Sequence, residues 1–224
     1  MNSDLNIVCV LKQGKKFRFS DVLLLSNKLH ETWEGPGKLN VICLWDQAKV
    51  VYHFTTCKAI PMEHTEWIGW WSKMNLFSPA LEEYRPFLFL DLDTAIVGDI
   101  QSVLPPEKDR DKFISLQDFY RPTKLAGGMF WIPAKNEKVS LVWKKWLEDP
   151  TGHSAKYRGE GMFIMSVTSA DMFFQSFTTK ISSFKPDRKW LVNLPKDISV
   201  VCFHGVPNIP EAAVSVPWVN EYVK

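Results

Sequence analysis

The feature of this sequence that most constrains its fold is an apolar run ending in two aspartates. Phe87–Leu90 is apolar at every position, which is typical of a strand buried on both faces at the centre of a parallel sheet. Residues two apart in a strand point to the same face, so we expect the Asp91 and Asp93 carboxylates side by side, with Leu92 packed the other way. The pattern predicts a site at this strand end.

The rest of the chain alternates between strand-like runs and segments of helical periodicity, which is the pattern of an α/β fold. We predict further strands over 7–11, 39–45, 112–116, 128–132 and 198–203, with a short extended piece over 58–61. We predict helices over 20–30, 67–77, 137–147 and 161–167. The expected fold is a central, mostly parallel sheet flanked by helices.

Composition favours one ordinary globular domain. The 224 residues are 46% hydrophobic and 23% charged, which argues against a disordered chain or a fibre. No Gly/Ser/Pro-rich linker and no repeat divides the sequence. We therefore predict a single domain over 1–224.

Charge and hydropathy exclude several classes of partner. The 27 basic and 25 acidic residues leave a net charge of +2, and no basic tract suggests a nucleic-acid partner. The densest basic patch, Lys12, Lys15, Lys16 and Arg18, is interpreted as a solvated loop after the first strand, with a phosphate site as the alternative. No signal-peptide pattern and no 18-residue apolar run are present, so we expect no membrane span and a cytoplasmic protein.

The four cysteines lack C-x-x-C spacing and are expected to be buried thiols.

The aspartate pair also indicates metal chemistry. Two carboxylates this close repel each other unless a cation lies between them, and oxygen ligands select Mg²⁺ or Mn²⁺. His204 follows the apolar run 198–203 and precedes Gly205, at a second strand end, so it is a candidate third ligand that favours Mn²⁺. The alternatives are a turn role for the aspartates and a hydrogen-bonded core role for His204.

Five short motifs follow one another along the chain: GWWSK at 69–73, DLDT at 91–94, IVGDI at 96–100, GGMF at 127–130 and FHG at 203–205. In this order they resemble the GT-A nucleotide-sugar glycosyltransferases, with the closest likeness to glycosyltransferase family 8. The resemblance extends from Ile7 to Trp218 and implies a Rossmann-like GT-A domain. Residues 1–100 or so would form its nucleotide-binding half, and about 101–224 its acceptor-binding half.

The resemblance implies a role for each matching residue. Asp91, Asp93 and His204 would hold Mn²⁺, or Mg²⁺, against the diphosphate of the donor. Lys73 would contact the donor phosphates, and the turn after Leu11 would hold the nucleoside.

Four further positions complete the implied site. Gly128 and Gly205 would lie against the donor, and Asp118 would approach the donor sugar. Where the family has Gly-Asp-Gln, this chain has Gly-Glu-Gly, so Glu160 keeps the acid and Gly161 loses the amide. Where the family often has a lysine after the His-Gly motif, this chain has Asn208.

The implied reaction is hexosyl transfer from a nucleotide diphosphate sugar, with a UDP-sugar favoured, to an acceptor hydroxyl on a carbohydrate, a protein or another molecule. The resemblance favours retention of configuration, a route in which the departing phosphate can take the acceptor proton. An inverting route would need Asp118 or Glu160 as general base.

Two other functions fit parts of the sequence. Gly161 and Asn208 suggest a non-catalytic protein that binds nucleotide sugars. An apolar strand ending in D-x-D also occurs in phosphohydrolases of the haloacid-dehalogenase type, but Ala95 stands where that pattern wants Thr or Val.

The chain has ten tryptophans. Trp67, Trp70 and Trp71 have helical spacing and are predicted to lie in the core. Trp190 and Trp218 lie outside periodic segments and are the better candidates for stacking on a sugar.

Overall fold

A computed structural model describes residues 4–14, 16–185, 194 and 196–224. Within these residues, eight strands form one sheet and three form a second. In chain order the strands are β1 (Leu5–Leu11), β2 (Leu39–Trp45), β3 (Tyr52–His53), β4 (Lys58–Pro61), β5 (Phe87–Leu90), β6 (Thr94–Ile96), β7 (Ile114–Gln117), β8 (Leu125–Ile132), β9 (Met172–Phe173), β10 (Ile181–Ser183) and β11 (Val200–Cys202).

The large sheet has the order β3-β4-β2-β1-β5-β8-β7-β9. Strands β4, β2, β1 and β5 run parallel, as the predicted central sheet requires. β8 is antiparallel to both β5 and β7, and β3 is antiparallel to β4. β5, which leads into the aspartate pair, therefore lies between the parallel half of the sheet and an antiparallel partner.

Helices cover both faces of this sheet. The α-helices are α1 (Phe19–Thr32), α2 (Glu137–Glu148), α3 (Pro150–Lys156), α4 (Glu160–Val167), α5 (Ile209–Ala213) and α6 (Pro217–Tyr222). Alternate residues of β1 divide the core, because Ile7 and Cys9 pack in the cluster that contains α1, and Val8 and Val10 pack in the cluster that contains α2 and α4. None of the helices in the described part of the chain is both long and apolar enough to cross a bilayer.

The small sheet connects the aspartate pair to the C-terminal region. β11 lies between β10 and β6, and it is antiparallel to β6, which begins one residue after Asp93. α5 and α6 pack in a third core cluster with Val201 and Phe203. The strand before His204 is thereby placed beside the D-x-D segment.

The predicted helix over 67–77 is wrong in type. The segment forms a 3₁₀ helix over Gly69–Phe77, and Pro79, expected to end the helix, begins a second one over Pro79–Tyr84. Short polar side chains bond to nearby backbone: the Ser72 hydroxyl donates to the Gly69 carbonyl and the Asn75 amide donates to that of Ser72. Such bonds compete with the α-helical pattern.

Other boundaries differ by a few residues. β7 begins at Ile114 rather than at 112, β8 already begins at Leu125, and β11 is shorter than the predicted 198–203. The short elements β6, α3, α5 and α6 were not predicted, because segments of three to seven residues carry little periodicity.

Two of the three clustered tryptophans lie in the core as predicted. The Trp71 ring stacks on Trp146 of α2 at 5.1 Å, and Trp67 meets the same ring edge-on at 5.3 Å. Trp146 is fully buried. This aromatic group fixes the 3₁₀ helix against α2.

Trp70 differs from expectation, and the proposed sugar stacking of Trp190 and Trp218 stays a prediction. Trp70 is 54% exposed, so its predicted core position is wrong. Trp218 is partly buried and packs near Phe184 and Phe203, within 6.3 Å between ring centroids. Trp190 lies outside the described residues.

Truncating Trp146 should weaken the fold strongly. Trp146→Ala removes a fully buried ring that contacts two other tryptophans, and we expect a loss of about 3–5 kcal/mol in the free energy of unfolding. Leu141→Ala, at an exposed position on the same helix, should cost less than about 0.5 kcal/mol. Urea unfolding followed by circular dichroism measures both, and equal losses would contradict the assignment of this core.

Candidate functional site

The aspartate pair is held by backbone from two distant segments. The Asp91 N–H donates to the Gly128 carbonyl of β8 at 3.0 Å, and the Phe203 N–H donates to the Asp93 carbonyl at 2.8 Å. Leu92, between the aspartates, is buried with only 4% exposure. The two carboxylates therefore leave the end of β5 between β8 and the segment that carries His204.

Lys73 occupies the centre of the site. Its ammonium donates to Asp91 Oδ2 at 2.5 Å, to the Gly127 carbonyl at 3.0 Å and to Glu160 Oε1 at 3.0 Å. Burial opposes the charge of Lys73, but Asp91 and Glu160 outweigh it and raise its pKa. Lys73 is thus a cation whose three N–H donors are all in use.

Asp93 is paired with a different lysine. The ammonium of Lys16 lies 2.9 Å from Asp93 Oδ2, and the Asp93 side chain is 9% exposed. Burial and then repulsion from Asp91 raise the pKa of Asp93 to about 6, although Lys16 acts in the opposite direction. The Lys16 side chain is 51% exposed, as the interpretation as a solvated loop predicts, and its ammonium also pairs with Asp93.

His204 lies beside these charges with an unused nitrogen. Its Nε2 is buried and has no hydrogen-bond partner among the described residues. Burial lowers the pKa of His204, although Asp91 opposes this, and it thereby favours the neutral imidazole. A Cβ built on Gly128 would lie 3.6 Å from His204 Cε1, so Gly128 contributes a close wall to the imidazole. Gly205 has a φ of 77°, a conformation that glycine adopts most readily.

Whether this site suits a divalent cation depends on its donor atoms. Within the described ranges, no three His, Cys, Asp or Glu side chains are grouped closely enough to hold a metal ion. The carboxylates of Asp91 and Asp93 are bonded to lysines instead. The types of donor atom still fit Mn²⁺ or Mg²⁺, since Asp91 and Asp93 offer carboxylate oxygens and His204 offers an unpartnered ring nitrogen. A cation there requires the lysines to release the aspartates.

Glu160 is the first residue of α4 and is buried, with 7% exposure. A Cβ on Gly127 would lie only 2.0 Å from Glu160 Oε1, so the glycine leaves the space that this carboxylate occupies. The acid at position 160, longer than the family's aspartate, reaches Lys73. Gly127 is a site residue that the sequence analysis did not single out, although it lies in the GGMF motif.

Asp118 stabilises its own turn after β7. Its carboxylate accepts the N–H groups of Tyr120 and Arg121 at 2.9 Å each, and the Arg121 guanidinium lies 2.9 Å from Oδ2. Burial raises the pKa of Asp118, but these hydrogen bonds and Arg121 outweigh it and lower the pKa overall. Both oxygens of Asp118 are therefore bonded within its own turn, while the charge of Asp118 acts on His204.

The turn after Leu11 is organised by Asp46. The Leu11 carbonyl accepts the Asp46 N–H at 3.2 Å, and the Asp46 carboxylate pairs with Lys12 at 3.2 Å. The same carboxylate accepts the backbone N–H of Gln13 at 3.0 Å. This turn precedes Lys16, so the loop after β1 reaches the Asp93 side of the site.

Several solved glycosyltransferases share this architecture. The galactosyltransferase LgtC, in complex with donor and acceptor sugar analogues, has a TM-score of 0.60 and 9% identity over 97% of this chain and 94% of its own. GlyE of Streptococcus pneumoniae TIGR4 also has 0.60 at 9% identity, and the bifunctional WbbM 0.57 at 10%. The chain spans 60% of the GlyE chain and 51% of the WbbM chain.

These likenesses show that the chain has the α/β, GT-A-like fold of glycosyltransferases. No protein-family model matches the chain, and no curated protein sequence does. At 8–10% identity the shared property is the fold, so the chemistry has to be argued from the residues above.

The raised pKa of Asp93 predicts how stability depends on pH. An ionised Asp93 disfavours the folded state, so its neutral form contributes stability that is complete below about pH 4 and is lost as the pH rises through about 6. Asp93→Asn should therefore be more stable than the wild type by about 1–3 kcal/mol at pH 7.5. This gain should disappear below about pH 4.

Urea titrations in EDTA across this pH range measure the effect. Asp111→Asn, which changes an exposed aspartate, is the matched control and should show no such pH-dependent gain. A variant at position 93 that is less stable than the wild type at pH 7.5 would contradict the electrostatic account of the pair.

Proposed function

We propose that this chain is a metal-dependent glycosyltransferase of the family 8 type. It transfers a hexosyl group from a nucleotide diphosphate sugar, with a UDP-sugar as the favoured donor, to an acceptor hydroxyl. The observation that carries the proposal is the cluster of Asp91 and Asp93 with Lys73 and Lys16 at the end of β5, next to which Phe203, the residue before His204, bonds the Asp93 carbonyl. The GT-A-like fold supports it, because the ligand sites of open α/β sheets lie at the carboxyl ends of strands.

The lysines are suited to bind the diphosphate of the donor. Lys16 and Lys73 carry two positive charges, and each is bonded to a carboxylate that a phosphate group can replace as acceptor. The leaving diphosphate gains negative charge as the glycosidic bond breaks. Cations that are already in place stabilise this charge in the transition state.

A divalent cation is part of the proposal. Asp91, Asp93 and His204 would hold Mn²⁺ or Mg²⁺, which supplies Lewis-acid stabilisation of the leaving diphosphate when bound. The three carboxylates of Asp91, Asp93 and Glu160 exceed the two lysines by one negative charge, which favours cation binding. Release of Asp91 leaves Lys73 with Glu160 and Gly127 as partners.

The contacts of the two candidate bases support a retaining route. Asp118 is bonded to Arg121 and its own turn, and Glu160 is bonded to Lys73. Neither carboxylate is free in this arrangement to take a proton from the acceptor. A front-face route needs no protein base, because the departing phosphate can accept that proton.

A non-catalytic protein that binds nucleotide sugars is the second candidate. Asn208, where a lysine often stands in family 8, caps α5: its side chain accepts the Glu211 N–H at 2.9 Å. It therefore contributes no positive charge to a diphosphate. Gly161 likewise offers no side chain toward a sugar, and both positions favour binding without turnover.

The proposed transfer predicts metal-dependent turnover of a nucleotide sugar. The protein is incubated with UDP-, GDP- and ADP-sugars with and without Mn²⁺, and release of the nucleoside diphosphate is followed. We expect Asp91→Asn and His204→Ala to lower this release by about 100-fold or more, because each removes a proposed ligand. Asp111→Asn is the control and should match the wild type.

Other outcomes of this assay point elsewhere. Phosphate release from simple phosphomonoesters without turnover of any nucleotide sugar would support the phosphohydrolase instead. Metal-dependent donor binding without turnover, across saccharide and peptide acceptors, would support the binding protein.

Lys73 should matter for donor affinity. Lys73→Ala removes a buried cation proposed to bond the phosphates, and we expect the Kd for UDP to rise about 10- to 100-fold. Lys49→Ala, at an exposed lysine, is the control. Calorimetric titration with UDP measures both, and an unchanged Kd for Lys73→Ala would remove Lys73 from the donor site.

A further inference from the structure

Trp70 is the exposed member of a tryptophan group that is otherwise buried. Its side chain is 54% exposed, whereas Trp67 and Trp71 are 7% and 6% exposed. A single exposed apolar side chain is common on a globular protein, but an indole offers both an apolar face and an N–H donor to a ligand. The packing that fixes its neighbours against α2 does not account for Trp70.

Two independent relationships place Trp70 next to the candidate site. Side chains three apart in a 3₁₀ helix lie on the same side, so Trp70 lies on the side of Lys73. The indole Nε1 also lies 3.9 Å from the position of a Cβ on Gly159, the residue before Glu160. Trp70 therefore has two neighbours at the site: Lys73 on its own 3₁₀ helix, and Gly159, which precedes Glu160 at the start of α4.

The edge of the Trp70 indole that faces Gly159 is not covered by a side chain from that position. A Cβ built on Gly159 would meet no atom within 4 Å other than the Trp70 nitrogen, so the glycine leaves this edge uncovered. The N–H of Trp70 makes no hydrogen bond to another residue that the structure describes. Trp70 thus offers a flat apolar face with a free donor at its rim.

We propose that Trp70 is the platform on which the acceptor stacks, and that this acceptor is a saccharide; this inference rests on the proposed function. A pyranose ring has an apolar face of C–H groups and a rim of hydroxyls. The face can pack on the indole, and a hydroxyl can accept the free N–H, a combination typical of ligand sites with an aromatic wall and few polar groups.

The position of Trp70 argues for the acceptor rather than the nucleoside. The loop after β1, where the nucleoside is expected, reaches the site through Lys16 and Asp93. Trp70 borders a different pair, Lys73 and Glu160. A saccharide on Trp70 therefore meets the site at Lys73 and Glu160, whereas the nucleoside is expected at the Lys16–Asp93 pair.

The test separates acceptor binding from donor binding. Transfer from the active donor to lactose, maltose and the methyl glycosides of glucose and galactose is measured for the wild type, Trp70→Ala and Trp70→Phe. We expect Trp70→Ala to raise the acceptor KM about tenfold while the donor KM changes less than twofold, and Trp70→Phe to recover part of the loss. Ile68→Ala, at a 73% exposed apolar position in the same segment, should match the wild type.

Failure of the platform and failure of the transferase give different results. An acceptor KM that is equal in the wild type and Trp70→Ala, or a donor KM that rises as much as the acceptor KM, overturns the platform while the transferase stands. Transfer to peptides with hydroxyl side chains but to none of the saccharides also overturns it.

If no donor is turned over, the proposed function fails, and Trp70 is tested by fluorescence. Lactose should then change the emission of the wild type but not that of Trp70→Phe. No change in either protein overturns the platform.

Discussion

The site depends on how the charge of two aspartates at the end of a buried strand is compensated. β5 is apolar at all four positions, so Asp91 and Asp93 begin where the core ends, and neither carboxylate can move far into water. Lys73 bonds one and Lys16 the other. Because Lys73 also bonds Glu160 and Gly127, this one ammonium group connects the 3₁₀ helix, α4 and β8 at the site.

The parts of this arrangement that local sequence determines could be predicted. The buried run before Asp91, the helix α2 and the strand that precedes His204 have apolar periodicity that local sequence reveals, and the structure contains all three. The partner of Lys16 could not be predicted in this way. The Lys16 ammonium lies 2.9 Å from the carboxylate of Asp93, which is 77 residues further along the chain, and local sequence gives no sign of that contact.

The 3₁₀ helix and Trp70 illustrate a second limit. Apolar spacing suits both an α-helix and a 3₁₀ helix, and side-chain bonds of Ser72 and Asn75 favour the tighter winding. In that winding Trp71, Met74 and Phe77, spaced by three, lie buried, and Trp70 is left outside. Leu76, in the same row as Trp70, is also fully buried, so the exposure of Trp70 depends on which elements pack over each part of the helix. Hydrophobic periodicity alone does not reveal this.

The small sheet has a consequence for how the site forms during folding. β6 begins directly after Asp93 and pairs with β11, about a hundred residues further along the chain, and contacts of this range are slow to form. β5 likewise waits for β1 on one side and β8 on the other. Lys73 and Asp91 are 18 residues apart, whereas Lys16 and Asp93 are 77 residues apart, and His204 follows β11 of the small sheet. The charged cluster is therefore complete only when the long-range pairing has formed.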